Sequence, residues 1–440
     1  MSAPVAAASM AASLAELVGD RHVNTDASRL AAFAIDGVVP RIEVSPQSVE
    51  EVASVLRFCE GNGLVVVPAG EFTAQLTGRP PQRIDVLLRT NRLNAIEHYD
   101  PGDLTIGAGA GVTLAGIHST LAEHGQMLPI SSPNPESATL GGVLARSAHD
   151  PRKQGYGGLR DFCIGIRFVT ADGKFARAGG RVVKNVAGFD LMKLLIGSHG
   201  TLAVIVSASF KVFPSPRQTC TFMAPFQTMA AALQFRDRII ASPLTPMCLE
   251  LLSSEAQRFT GLSVAASSPW LMLVRAAGSA AVLQRYRTDL GSAIAWEIDG
   301  DPEARLWDGI ANFTNAAAAN DSMVLGISVP VSDVERVVDI CKRTALGHAS
   351  VLSVIASAGG GNLRCAFTSP SEASPGWPVL VQNLRSTLGP GASAVVLRCG
   401  TGTKRELDVW GASPTDIACM RAVKSALDVN DILNRGRLLL

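Results

Sequence analysis

The stretch from Met127 to Pro214 constrains this chain more than any other, because it sets a glycine-rich, loop-heavy tract between apolar segments that read as buried. Paired glycines at Gly141 and Gly142, with Thr139 just before them, remove the Cβ atoms that would hold a ligand away from backbone N–H groups. Such a surface suits a large planar or phosphorylated ligand, and a dinucleotide is both. The widespread nucleotide motifs are missing: no G-x-G-x-x-G follows a strand and opens a helix, and no G-x-x-x-x-G-K-[ST] occurs. A different dinucleotide fold is required.

At 440 residues the chain exceeds what one hydrophobic core usually serves, so two domains are expected. A formal net charge of +1 leaves no electrostatic footprint for nucleic acid or an anionic membrane. The eight cysteines form no C-x-x-C pair, which argues against an iron–sulfur cluster, a zinc ribbon or a disulfide scaffold within the chain and favours reduced thiols in a cytoplasmic protein. The first charged residue is Glu16, so the N-terminus lacks the basic start of a signal peptide, and a short helix near residues 11–18 is expected instead. No apolar run reaches the roughly 18 residues of a membrane span, so membrane contact is expected only peripherally, at the inner face of the cell membrane through partners.

Along the first half, Ser45-Pro46 reads as N-cap and first helical residue, with Val49, Val52, Leu56 and Cys59 on one face and Gly61 as the stop. A buried strand over 64–67 then ends at Pro68-Ala69-Gly70, a natural edge for a ligand. Thr113 caps a helix bearing Leu114, Ile117 and Leu121, and residues 164–178 read as a hairpin turning at Asp172-Gly173. Residues 188–196 read as helix and 202–212 as a long strand. The stretch from Pro214 to Thr219 reads as a linker, followed by strand–helix–strand units that suit an antiparallel sheet with helices on one face: helices over 229–240 and 280–290, strands near 221–224, 247–252 and 270–276. A last helix over 413–428 leads into the tail.

At Ala138-Thr139-Leu140-Gly141-Gly142, at Tyr156-Gly157-Gly158-Leu159-Arg160-Asp161, at Lys184-Asn185-Val186-Ala187-Gly188-Phe189-Asp190 and at Gly200-Thr201-Leu202, the chain resembles the flavoprotein family that includes vanillyl-alcohol oxidase and p-cresol methylhydroxylase. Within that family it looks most like FAD-binding subunits of glycolate oxidase complexes, through GQMLP at 125–129, the KNVAGFDL run and the ending ILNRGRL. The resemblance implies an α+β architecture: a two-subdomain PCMH-type FAD-binding domain over 1–215, an α+β cap domain with an antiparallel sheet over 216–400, and a C-terminal segment over 401–440 that returns to the first domain. It also implies FAD held in extended form. The pyrophosphate would lie against the loop Pro68, Gly70, Glu71, Phe72, Thr73 and Ala74 and against Thr139, Gly141 and Gly142. Tyr156 and Gly157 would line the flavin, Ile205 would face the adenine side, and Pro129, Ala145 and Gly200 would complete the site.

Two departures limit what carries over. The family's glycine-rich run is Gly70-Glu71-Phe72-Thr73-Ala74 here; Glu71 would repel a pyrophosphate unless it points away, and no His or Cys stands there to link FAD covalently. Relatives that dehydrogenate 2-hydroxy acids carry a metal motif resembling H-A-G-D-G-N-[LM]-H, whereas this chain reads Ser357-Ala358-Gly359-Gly360-Gly361-Asn362-Leu363-Arg364. Serine and arginine cannot supply that metal site. Val183 and Ala187 likewise stand where relatives place an arginine and a threonine near Lys184. No metal is therefore expected, and the catalytic residues stay unassigned. Arg146 and Arg160 leave two readings open, a contact to a substrate carboxylate or another subunit and an ordinary surface or ion-pair role; Asp150-Pro151-Arg152-Lys153 reads either as a solvated charged loop or as a docking loop.

The expectation is thus non-covalent FAD in a subunit that works with a catalytic flavoprotein and an iron–sulfur partner, the complex oxidising a small 2-hydroxy acid, glycolate, to glyoxylate. A self-contained dehydrogenase and a flavin-free interaction subunit are the alternatives.

Overall fold

The computed structural model describes residues 7–181, 189–262, 268–318, 322–369, 376–389, 391–411 and 415–438. Val183, Lys184, Ala187 and Gly188 lie outside them. Three larger sheets and one two-stranded sheet organise the rest.

The first sheet has four strands in the order Val23–Asn24, Ile42–Val44, Val86–Arg89, Val66–Ala69, and its three longer strands run parallel. Parallel strands are apolar on both faces because both are covered. Here Val44, Val66, Val86 and Leu88 pack with Leu14 of helix Ala7–Val18 and with Val52, Leu56 and Cys59 of helix Val49–Gly61. That second helix is capped by Ser48, whose hydroxyl accepts from the Glu51 N–H at 3.1 Å, and not by Ser45. Ser45 is held extended because its own N–H donates to the His22 carbonyl.

The second sheet is antiparallel, in the order Ile96–Asp100, Thr105–Gly109, Val204–Lys211, Cys163–Val169, Phe175–Gly179. It contains the expected hairpin and the long strand. Helix Leu114–Ala122 packs beneath it, with the Thr113 hydroxyl accepting from the Gly116 N–H as expected. This helix ends before His124.

The third sheet has eight antiparallel strands, Trp296–Ile298, Gln218–Phe226, Trp270–Gly278, Cys248–Ser253, Val351–Ser357, Asn362–Thr368, Ser322–Ser328 and Ser393–Arg398. Helices Met229–Ile240 and Ala280–Leu290 have the bounds the sequence suggests. Two expectations are corrected. Gln218 and Thr219 already belong to the first long strand and Phe213–Pro214 pairs with Gln126–Met127, so little of the stretch from Pro214 to Thr219 is free linker. Helices cover both faces rather than one: Phe222, Leu249 and Met272 face four helices, while their neighbours Met223, Cys248 and Leu271 face helix Gly300–Ala316 through Trp307, Ile310 and Phe313. Alternation along a strand cannot show this, since both sets are apolar.

After helix Ile417–Leu427 the tail crosses back to the first sheet. The Val66 N–H donates to the Ile432 carbonyl, and the Asn434 N–H donates to the Val66 carbonyl. Ile432 and Leu433 are buried there, which brings Asn434 and Arg437 to the end of strand Val66–Ala69. Among the described residues no helix is long and apolar enough to cross a membrane.

Candidate functional site

Strand Val66–Ala69 opens into Gly70, and helix Leu140–Arg146 starts beside it. A Cβ on Gly70 would sit 2.0 Å from the Thr139 hydroxyl, so only glycine lets the two segments touch. The adjacent glycines of the pair serve different ends. A Cβ on Gly141 would meet Ala110 Cβ at 2.9 Å, and its N–H donates to the Ala110 carbonyl. Gly141 is thus a packing glycine. A Cβ on Gly142 would meet nothing closer than the Thr139 hydroxyl at 3.3 Å, and its open side forms cavity wall.

Three cavities share the Arg146 side chain. The first, of about 80 Å³, is lined by Pro68, Gly70, Ala74, Gly141, Gly142, Ala145, Gly200 and Ile205, all expected from the sequence. The second, of about 660 Å³, adds Thr73, Pro129 and Gly157. The third, of about 260 Å³, lies between the first two sheets and the eight-stranded one, with Ser328, Asn362 and Arg364 on its far wall.

Four expected contacts are placed elsewhere, each for a local reason. Glu71 turns away and pairs with Arg89 at 2.9 Å, which removes its charge from the loop's inner side. Phe72 adopts φ 61° and packs on Phe33 with ring centres 4.9 Å apart, under the Arg89 guanidinium. Thr139 is buried beneath Gly70 and shapes the wall from behind. The Tyr156 ring packs edge-on against Phe213 and against the core of the eight-stranded sheet, and burial pushes its phenol up.

Sequence reasoning missed the opposite wall. Asn434 donates from Nδ2 to the His199 carbonyl at 2.8 Å, while its buried Oδ1 meets no donor. Arg437 donates to the carbonyls of Gln75, Thr77 and Arg79 and so ties the tail to the loop that closes the first cavity. Burial pulls the Arg437 guanidinium down to about 10. His199 stands between the first and third cavities; burial, with Arg437 and Arg146 nearby, pulls its imidazole down to about 4. The ILNRGRL ending was the only signal for this wall.

The loop at 150–153 docks within the chain. The Asp150 carboxylate accepts from the backbone and hydroxyl of Ser131, and in the turn that follows a Cβ on Gly155 would lie 3.0 Å from the Met247 backbone. Arg160 donates to the Ile196 carbonyl at 2.8 Å, a structural role. His118 is half-buried on its helix with Nε2 enclosed and unpartnered, and among the described residues no cluster of three or more His, Cys, Asp or Glu side chains is placed to hold a metal ion.

These walls fit FAD: close backbone approach without intervening Cβ atoms, two adjoining cavities that share Ala74, Gly142 and Arg146, and in Asn434 Oδ1 a buried acceptor for a ligand N–H or O–H. Fold and site together define an FAD-binding protein of the p-cresol methylhydroxylase type. The FAD binding domain family matches residues 40–179, and the family of FAD linked oxidases, C-terminal domain, matches 215–377 and 400–438. The chain thus carries an FAD binding domain followed by the C-terminal domain of FAD linked oxidases, in that order.

The chain is 34% identical over 215 residues to D-lactate dehydrogenase of Archaeoglobus fulgidus, covering 49% of this chain and 48% of that one. It is 36% identical over 185 residues to glycolate oxidase subunit GlcE of Escherichia coli, covering 42% and 52%. These matches span about half the length of each relative. The solved structure of p-cresol methylhydroxylase with substrate bound superposes with a TM-score of 0.74 at 17% identity, covering 97% of this chain and 96% of that one. At that identity the superposition speaks for the fold.

Proposed function

We propose that this protein is the FAD-binding subunit of a complex that oxidises glycolate to glyoxylate, acting beside a catalytic flavoprotein and an iron–sulfur protein and meeting the membrane's inner face only through them. FAD supplies a two-electron acceptor when bound. The chain's part is to hold it without a covalent link, since the loop 70–74 has neither His nor Cys, through the Gly70 and Gly142 walls and the tail residues Asn434 and Arg437.

One observation carries the subunit reading: the hairpin turn joining Val351–Ser357 to Asn362–Thr368 keeps its glycines but presents Ser357 and Arg364 where metal-binding histidines would stand. Dehydrogenating a 2-hydroxy acid needs the carboxylate anchored and the hydroxyl proton removed, and these tasks together govern several orders of magnitude in rate. Without an ion to acidify the hydroxyl, the lone chain oxidises glycolate poorly. The likeness to GlcE supports the same reading.

A second reading, a self-contained dehydrogenase, is favoured by the arginines of the third cavity. Anaerobic mixing with millimolar glycolate or D-lactate separates the two. The subunit reading expects slow bleaching of the flavin by the lone protein and fast turnover only after reconstitution with partners; fast bleaching of the lone protein would sink it.

A further inference from the structure

The diphosphate of FAD is a dianion, and a protein that draws it out of bulk water has to answer its charge with hydrogen-bond donors or cations. The start of helix Leu140–Arg146 has little to give. Its first two amides are used inside the protein, Leu140 N–H on the Val112 carbonyl and Gly141 N–H on the Ala110 carbonyl. Glu71 is turned away towards Arg89, and among the described residues no Asp or Glu side chain lines the first cavity. The wall is therefore free of negative charge, and its cations decide how strongly an anion is held.

Three side chains on that wall can carry positive charge: Arg146, His199 and Arg437. Two are committed elsewhere. Arg437 donates to the carbonyls of Gln75, Thr77 and Arg79 and faces Asp36 at 3.7 Å. His199, pulled down to about 4 by burial and by Arg437 and Arg146, is neutral near pH 7. Arg146 is left. It is half-buried and makes no hydrogen bond or ion pair with any described residue. Its cationic neighbours have carboxylates of their own, Asp36 near Arg398 and Glu250 and Asp150 near Arg364, whereas no carboxylate faces Arg146.

Arg146 stands four residues after Gly142, one helical turn on and on the same face, and helical side chains lean back towards the N-terminus. The guanidinium thus shares the wall that the missing Cβ of Gly142 opens, and the two residues line both the first and the second cavity. Space and charge come from one turn of helix.

We propose that Arg146 is the counter-charge for the cofactor's diphosphate, which makes the first cavity a nucleoside-diphosphate subsite able to take ADP by itself. A guanidinium fork suits this task, since it offers parallel N–H donors to phosphate oxygens and keeps its charge. Glycine allows the close approach and Arg146 holds what approaches. The inference rests on the chain holding FAD and is indifferent to the substrate oxidised.

The test reads dissociation constants for FAD, by ultrafiltration of the purified flavoprotein, and for ADP and adenosine as competitors that displace it, in the parent, Arg146→Gln and Arg146→Lys. In the parent, ADP should bind about tenfold or more tighter than adenosine. Arg146→Gln should weaken FAD about tenfold or more and remove most of ADP's advantage, leaving adenosine and the melting temperature unchanged, whereas Arg146→Lys should keep part of both affinities. Unchanged FAD affinity in Arg146→Gln, an ADP advantage that survives in it, or a loss as large in Arg146→Lys as in Arg146→Gln would each overturn the proposal. Should Arg146→Gln not fold, the parent alone decides: a clear preference for ADP over adenosine supports the proposal and none overturns it. A parent protein that holds no FAD overturns the FAD reading itself, whereas FAD held tightly and insensitive to Arg146 removes this inference alone.

Discussion

Two buried clusters of charge lie on either side of the first cavity and are built on opposite principles. In the tail clasp, Asp36 pairs with Lys404 at 2.9 Å and with Arg437 at 3.7 Å, Lys404 also donates to the Leu76 carbonyl, and Arg437 donates to three further carbonyls. In the cavity between the domains, Arg146 has no partner among the described residues, and Arg364 and Glu250 keep unpartnered atoms. The first cluster is closed within the protein and the second is open. A closed cluster fixes structure through its own bonds; an open one contributes less to it.

Breaking the closed cluster should have the largest effect. Asp36→Ala strands two buried cations, so the protein should lose about 3–5 kcal/mol of stability in urea unfolding. Flavin should be lost with it, because the clasp positions the tail that forms one wall of the first cavity. A loss below about 1 kcal/mol would mean that the clasp is wet and the contrast with the cavity false.

His199, standing between the clusters, sharpens the contrast through pH. The folded protein keeps its imidazole neutral down to about 4, whereas an unfolded chain protonates it near 6.5. Between these values the unfolded state binds more protons, so stability falls as pH drops through that window. In the flavin-free protein this group should account for about 2 kcal/mol of the loss between pH 7 and pH 5. His199→Gln should remove that share from the measured slope; an identical slope would place His199 in water.

Emptying the open cluster should cost least. Arg364→Met replaces an incompletely satisfied buried cation with an apolar side chain of similar length, and its effect on stability in urea should fall within about 1 kcal/mol of zero, of either sign. A loss as large as that of Asp36→Ala would make Arg364 a structural residue and erase the distinction.

How much of this was legible follows from the range over which each feature is decided. Gly142, Gly70 and the Thr113 cap are local, fixed by the absence of a Cβ or by one hydroxyl three residues away, and the sequence displays them. Whether Ser45 or Ser48 caps the helix depends on a bond from Ser45 to His22, which no local pattern contains. The two-sided burial of the eight-stranded sheet was hidden because both faces of its strands are apolar. Glu71 could be read as pointing away, but not as pairing with Arg89. The open cluster was least legible: Arg146 with His149, Glu250, and Arg364 come from three separate parts of the chain, and each alone reads as an ordinary surface or core residue.

The central claim is that the glycine-walled cavity closed by Asn434 and Arg437 holds FAD without a covalent bond. Purified protein should be yellow, and acid or urea should release one FAD per chain into the supernatant, leaving a colourless precipitate. A colourless protein that takes up no added FAD, or flavin that stays with the denatured chain, would contradict it.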